Sequence, residues 1–226
     1  AVEPRIRPPP IRLRYPPVDI APPARDLPAL RNRFVTFGSF NRREKVTPDV
    51  IALWSRVLHA VARSRLVLKG SFFDKADVQR SILDAFAAHD IVADRLEFRG
   101  RSAHRDVLEE YGDLDIGLDT FPWNGGLTTC EALLMGVPVM ALEGDRIIGR
   151  QSAAMMHAVG LDDFIAADED GYVEIARRWS GDIEGLARLR RELRQRLQES
   201  PLCDGKRYTR SLEEIYARLW QEWCGT

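Results

Sequence analysis

The sequence predicts an α/β fold, a doubly wound parallel sheet. Three observations predict it: short β-rich runs end on glycine or a turn, an amphipathic helical pattern follows each, and the alternation repeats from Phe34 to about Ala166. Strands separated by helices at this spacing pair in parallel through right-handed crossovers.

The first run, Phe34-Val35-Thr36-Phe37, ends at Gly38-Ser39. The next helix takes Thr47 as its N-cap and Pro48 in its first position, with Val50, Leu53, Trp54, Val57, Leu58 and Val61 at helical spacing. A strand over Leu66-Val67-Leu68-Lys69 ends at Gly70 and precedes a helix near Ala76–Ala88. Leu96-Glu97-Phe98 ends at Gly100, and a short helix follows around His104–Tyr111. Ile116-Gly117-Leu118-Asp119 leads through a glycine loop into a helix at about Thr129–Met135. A fifth strand, Val137–Leu142, precedes a helix near Gln151–Val159, and Phe164-Ile165-Ala166 is a sixth. Two amphipathic helices close the chain, separated by Ser200-Pro201-Leu202: Ile183, Leu186, Leu189, Leu193 and Leu197 mark one, and Tyr208, Leu212, Ile215, Tyr216, Leu219, Trp220 and Trp223 the other. The last is aromatic on one face and calls for a large apolar surface to lie on.

The 226 residues are 45% apolar and 30% charged, and 33 Lys+Arg against 34 Asp+Glu leave a net charge of −1. Such a balance gives no overall attraction to nucleic acid or to an anionic membrane, so neither is expected as a partner. No apolar run approaches the ~18 residues of a membrane span and no signal-like core is visible, so a cytoplasmic location is expected. The charge is uneven, however. Residues 1–33 hold seven Arg, three acids and nine of the thirteen prolines and carry +4, while the remaining 193 residues carry −5. Pro8-Pro9-Pro10, Pro16-Pro17 and Pro22-Pro23 favour extended chain, so 1–33 is expected to be a linker, 34–199 the α/β domain and 200–226 a C-terminal crossover helix. Cys130, Cys203 and Cys224 lack paired spacing and are expected to be free thiols. The chain opens on Ala1 rather than Met, which fits a piece of something longer.

In such a sheet ligands bind beyond the carboxyl ends of the strands. The loop Asp119-Thr120-Phe121-Pro122-Trp123-Asn124-Gly125-Gly126-Leu127-Thr128-Thr129-Cys130-Glu131 is the richest candidate there. Its glycines let backbone amides turn toward a ligand, its threonines add hydroxyls, and a helix begins beside them, which suits a phosphate. Thr128 and Glu131 also fit a capping box, a purely structural alternative. A carboxylate at Glu131, in the helix's first turn, can accept the vicinal hydroxyls of a ribose. The first loop, Gly38 to Pro48, brings Asn41, Arg42 and Lys45 to the same edge, and Lys45 can neutralise a departing diphosphate, the role a metal would otherwise fill. Asp113-Leu114-Asp115 spells a metal motif of another fold but precedes its strand, so a turn is expected there.

The motifs T-F-G-S-F-N-x-x-x-K-x-T-P, L-x-L-K-G, D-I-x-L-D-T-F-P-x-N-G, T-C-E-A-L-x-M-G-V-P-V and S-P-L-C-D occur in order from about Tyr15 to Trp223. Together they resemble the C-terminal catalytic half of the protein O-GlcNAc transferase family, the SPINDLY-type glycosyltransferases. The resemblance implies a Rossmann-like half of a GT-B fold, binding a UDP-sugar, UDP-GlcNAc by preference, for inverting and metal-independent transfer to protein Ser or Thr hydroxyls. It implies that Lys45 and Thr128 contact the diphosphate with Asn41 and Arg42 close by, and that the loop of Asn124, Gly125, Gly126, Leu127 and Thr129 cradles it. It implies further that Glu131 holds the ribose with His104 beside it, and that the backbone after Gly100, through Ser102, meets the uracil. No cofactor is implied beyond the donor. The partners implied are a protein or peptide acceptor and an N-terminal lobe or repeat domain, without which the chain is expected to be inactive. Val107 stands where the family often has His, and Leu127 breaks the usual threonine run; a nucleotide-binding module or inactive homologue is the alternative.

Overall fold

The computed structural model describes residues 14–225. Strands β1 (Val35–Ser39), β2 (Ser64–Lys69), β3 (Leu96–Arg99), β4 (Ile116–Leu118), β5 (Val139–Leu142) and β6 (Ile165–Ala166) lie side by side in the order β3-β2-β1-β4-β5-β6. Every pairing is parallel, with Phe37 opposite Leu66 on one side and Ile116 on the other. The helices are α1 (Ala29–Asn32), α2 (Pro48–Ala60), α3 (Ala76–Ala87), α4 (His104–Glu110), α5 (Leu127–Leu134), α6 (Gln151–Ala158), α7 (Glu169–Gly181), α8 (Ile183–Glu199) and α9 (Gly205–Cys224).

Right-handed crossovers put α2 and α3 on one face and α5 and α6 on the other. Helix α7 follows β6 and lies against α2 and β5, while α8 lies against α5. Covered on both faces, β1 is buried along its whole length, and Phe37, Trp54, Phe73, Phe86, Phe164 and Tyr172 are fully enclosed. The chain steps outward from β1 to β3, returns to β4 beside β1, and steps outward the other way. The loops leaving β1 and β4 therefore diverge, and a crevice opens between them at the carboxyl edge.

Several local outcomes depart from the sequence-based expectation. Helix α2 starts as expected, with the Thr47 hydroxyl accepting the Val50 N–H and Pro48 at the first position. Helix α5 starts at Leu127, two residues before the expected Thr129, with Gly126 at its N-cap and no side-chain cap. Thr128 thus sits inside the first turn, and the capping box with Glu131 does not form. Strand β5 starts at Val139 rather than Val137; Pro138 has no N–H for the ladder, although its carbonyl accepts from Gly117 at 2.8 Å. Helix α7 was not expected. It is largely polar, held by Tyr172, Ile175 and Ala176 on its buried side and capped by Asp168 on the Gly171 N–H.

Residues 1–13, with Pro8-Pro9-Pro10, lie outside the described residues. From Arg14 to Leu27 the leader is irregular chain with a turn at Asp19–Ile20, laid on the domain, and α1 follows it. Tyr15, Leu27 and Ala29 are buried, and Tyr15 N–H donates to the Leu202 carbonyl at 2.8 Å. Two carbonyls of the proline-rich backbone, those of Pro22 and Arg25, are taken by arginines of α8. Arg190, 1% exposed, donates to the carbonyls of Arg25 and Leu114 at 2.6 Å each, and Arg194 donates to those of Pro22 and Leu134. Asp113 pairs with Arg99 at 2.8 Å, and Asp115 accepts the N–H groups of Thr36 at 2.7 Å and Ala29 at 2.8 Å. Both carboxylates of the apparent metal motif are thus engaged at the amino end of β4, away from the crevice.

Helix α9 buries no residue fully, and Tyr216 and Trp220 are 61% and 66% exposed. Among the described residues no helix is long and apolar enough to cross a membrane.

Candidate functional site

The crevice at the switch between β1 and β4 is a cleft of about 680 Å³. Phe40, Asn41, Arg42, Glu44 and Lys45 line it from the β1 loop, Trp123, Asn124, Gly126, Leu127 and Thr128 from the β4 loop and the start of α5, and Gln151 from α6. Lys45 Nζ donates to the Asn124 carbonyl at 2.7 Å and stands 3.4 Å from Asn41 Oδ1. Its ammonium also lies 5.6 Å from the centre of the Trp123 ring. Burial lowers the Lys45 pKa, Asp119 pulls it back up, and Arg42 adds to the lowering.

The glycine loop is held from both sides. The Gly125 N–H donates to Asp119 Oδ1 at 2.7 Å, and its carbonyl accepts from Gln151 Nε2 at 2.8 Å. A Cβ at Gly125 would collide with the Thr129 hydroxyl and stand 2.9 Å from Asp119 Oδ1, so the position requires glycine. Thr128 Oγ1 lies 3.5 Å from Asn41 Oδ1, and its carbonyl accepts from the Tyr111 hydroxyl at 2.9 Å. The first N–H groups of α5 have no intrahelical partner and open toward the cleft, a favourable place for an anion.

One turn further along α5 stands Glu131, 4% exposed, whose Oε1 meets His104 Nε2 at 2.7 Å. Burial raises the Glu131 pKa, against the hydrogen bond and charge of His104. The loop before His104 is fixed from below: Lys69 Nζ donates to the Gly100 carbonyl at 2.9 Å and to Ser102 Oγ at 2.6 Å. The order along the edge is therefore cation and amides at Lys45 to Thr128, carboxylate at Glu131, then His104 and the loop 100–103.

Of the residues expected here, Asn41, Arg42, Lys45, Gly126, Leu127 and Thr128 come together in the cleft, Asn124 contributing its carbonyl. The Asn124 side chain turns inward and donates to the Thr120 carbonyl at 2.9 Å, and Thr129, 3% exposed, meets Ser152 at 3.3 Å instead of the cleft. Leu127 leaves its side chain 61% exposed and offers the helix's first N–H, which does not depend on side-chain type. Gly100, Ser102, His104 and Glu131 form the second cluster. Lys69 and Gln151 were not foreseen as part of the site, and Asp119 and Trp123, within the candidate loop, were given no role of their own. Asp119 and Lys69 carry a signal in hindsight, each being a charged residue ending a buried strand run; Gln151 carries none, since it arrives from another crossover.

A sheet in this order with a crevice at its switch point is a Rossmann-like fold, the architecture from which each half of a GT-B glycosyltransferase is built. The chain belongs to glycosyl transferase family 41, whose family model matches residues 16–212. It is 39% identical over 224 residues to a tomato (Solanum lycopersicum) protein named as a probable UDP-N-acetylglucosamine–peptide N-acetylglucosaminyltransferase SPINDLY, covering 99% of this chain and 24% of that protein. The chain thus spans about a quarter of the length of the curated relatives it matches. Among solved structures, a point mutant of the Thermobaculum terrenum O-GlcNAc transferase is 33% identical with a TM-score of 0.85, over 93% of this chain and 39% of that one. Anabaena HepE, solved with UDP and glucose, shares the fold at 16% identity and a TM-score of 0.57, over 92% of this chain and 53% of that one.

Proposed function

We propose that this chain is the donor-binding half of an inverting, metal-independent transferase that moves GlcNAc from UDP-GlcNAc to a Ser or Thr hydroxyl of a protein. The observation that carries the reading is Lys45, a partly buried ammonium beside Thr128 and the Asn124 carbonyl at the amino end of α5. The names of the tomato and Thermobaculum proteins support the donor and the peptide acceptor.

The acceptor oxygen attacks the anomeric carbon from the face opposite the diphosphate, and the bond from that carbon to the β-phosphate oxygen breaks. Charge builds on the departing UDP, where Lys45 and the first amides of α5 meet it. With a fixed ammonium at that point, the reading needs no metal. Glu131 accepts the ribose hydroxyls, and His104, now on Glu131, either shares that carboxylate or turns to the ligand. Arg42, one 3-10 turn before Lys45 and also lining the cleft, adds to the positive field. The general base is assigned to none of the residues lining this cleft, and the acceptor platform belongs to an N-terminal lobe outside this chain. Neither nucleic acid nor a membrane is proposed as a partner, and a cytoplasmic location goes with this reading.

Transfer of labelled GlcNAc to a Ser/Thr peptide tests it. The longer protein carrying this chain is expected to transfer, Lys45→Ala to lower the rate roughly 10²–10³-fold as for one lost oxyanion donor, and the 226-residue chain alone to transfer nothing. Transfer by the chain alone would overturn its incompleteness. Binding of UDP without transfer by the longer protein would make it a binding module.

A further inference from the structure

Strand β2 is apolar through Leu66, Val67 and Leu68, all buried, and then ends on Lys69, which is 4% exposed. An ammonium so far from water is costly unless its N–H groups are all bonded. Its three partners all lie in one short stretch of chain: the Gly100 carbonyl at 2.9 Å, Ser102 Oγ at 2.6 Å and Glu110 Oε1 at 2.9 Å. Ser102 in turn donates to Glu110 Oε1 at 2.6 Å, closing a triangle of lysine, hydroxyl and carboxylate. Burial alone would raise the Glu110 pKa, but the hydrogen bonds from Lys69 and Ser102 and the charges of Lys69 and Arg99 outweigh it and hold it low. The loop is closed on its other side as well, since a Cβ at Gly100 would stand 2.8 Å from the Asp74 Cβ.

A nucleoside diphosphate is a linear ligand: phosphates, then ribose, then base. With its phosphates at Lys45 and its ribose at Glu131, the base falls beyond His104, against residues 100–103. We propose that Lys69 is the positioning residue for base recognition: it touches no ligand, but fixes the backbone of the 100–103 loop and the approach of His104, so that the loop's amide and carbonyl groups meet one pyrimidine edge. This rests on the nucleotide reading given above. A strand end with only a packing role would take one more aliphatic residue, whereas a three-point tether from a buried charge gives the loop a single geometry.

Calorimetric titration of UDP, CDP, GDP, ADP and inorganic diphosphate into the 226-residue chain tests it. The double variant Lys69→Met/Glu110→Gln removes both charges, so that neither is left buried alone. UDP affinity is expected to fall about tenfold while diphosphate affinity holds, so that preference for UDP over the other nucleotides collapses. Lys69→Arg keeps the charge but cannot bring one nitrogen to all three oxygens, and is expected to lose part of the preference; it also reads the proposal if the double variant does not fold. Equal weakening of UDP and diphosphate, or an unchanged preference in either folded variant, would overturn the role of Lys69. A parent chain that binds none of the five probes would instead overturn the nucleotide site itself, and this role with it.

Discussion

Asp119 ends β4 as a carboxylate enclosed by the fold, 2% exposed, with one oxygen on the Gly125 N–H and near Asn41 Nδ2 at 3.4 Å. Its other oxygen is buried with no hydrogen-bond partner. Burial pushes its pKa up to about 6, against the pull of Ser152, the Gly125 N–H and Lys45. The folded state therefore holds this proton more tightly than the unfolded chain does. Stabilisation from that proton is complete below the ordinary value of 3.8 and is lost as pH rises through about 6. Asp119→Asn keeps an oxygen acceptor for Gly125 and discards the charge. Relative to the parent, the variant is expected to gain unfolding free energy between about pH 4 and about pH 7, by up to roughly 3 kcal/mol for a two-unit shift. Urea melts at both pH values check this, and parallel pH profiles would show that Asp119 does not carry the strain of burial.

At the scale of elements, the β4–α5 loop works because its backbone is tied on both sides, with Gly125 at the tightest point. Gly125→Ala must push aside Thr129 or Asp119. Its expected effect is a fall of about tenfold or more in UDP affinity together with a lowered melting temperature, since Thr129 and Asp119 are themselves buried. Titration and thermal melts of the same sample read both. The strands were legible because β-rich runs with glycine stops announce a buried parallel sheet, and α2 because Thr47 and Pro48 are local signals. The start of α5 was not, because the residues that fit a capping box are the ones that open the anion loop, and only the neighbouring Asn41 and Gln151 decide between them. Helix α7 was not, because its buried side is short within a polar composition. Prolines do not announce how the leader docks: Arg190 reaches the Arg25 carbonyl from 165 residues away. Lys45, Thr128 and Glu131 were legible as motif letters. That Lys69 tethers Gly100 and Ser102 is a contact between neighbouring strands, which spacing along one chain does not encode.

At the scale of the molecule, the proposed donor site draws on one edge of the sheet. Both walls of the cleft, the carboxylate on α5 and the loop beyond β3 come from one sheet edge, and the core beneath them is continuous. The chain spans about a quarter of the length of the curated relatives it matches, and Tyr216 and Trp220 of α9 are largely exposed. The central claim, a nucleotide-sugar site complete within this chain and anchored by Lys45, is tested most directly by titrating UDP into the 226-residue chain and its Lys45→Ala variant. Saturable binding by the parent, weakened about tenfold or more in the variant, is the predicted result; no binding, or equal affinity for both, would contradict it.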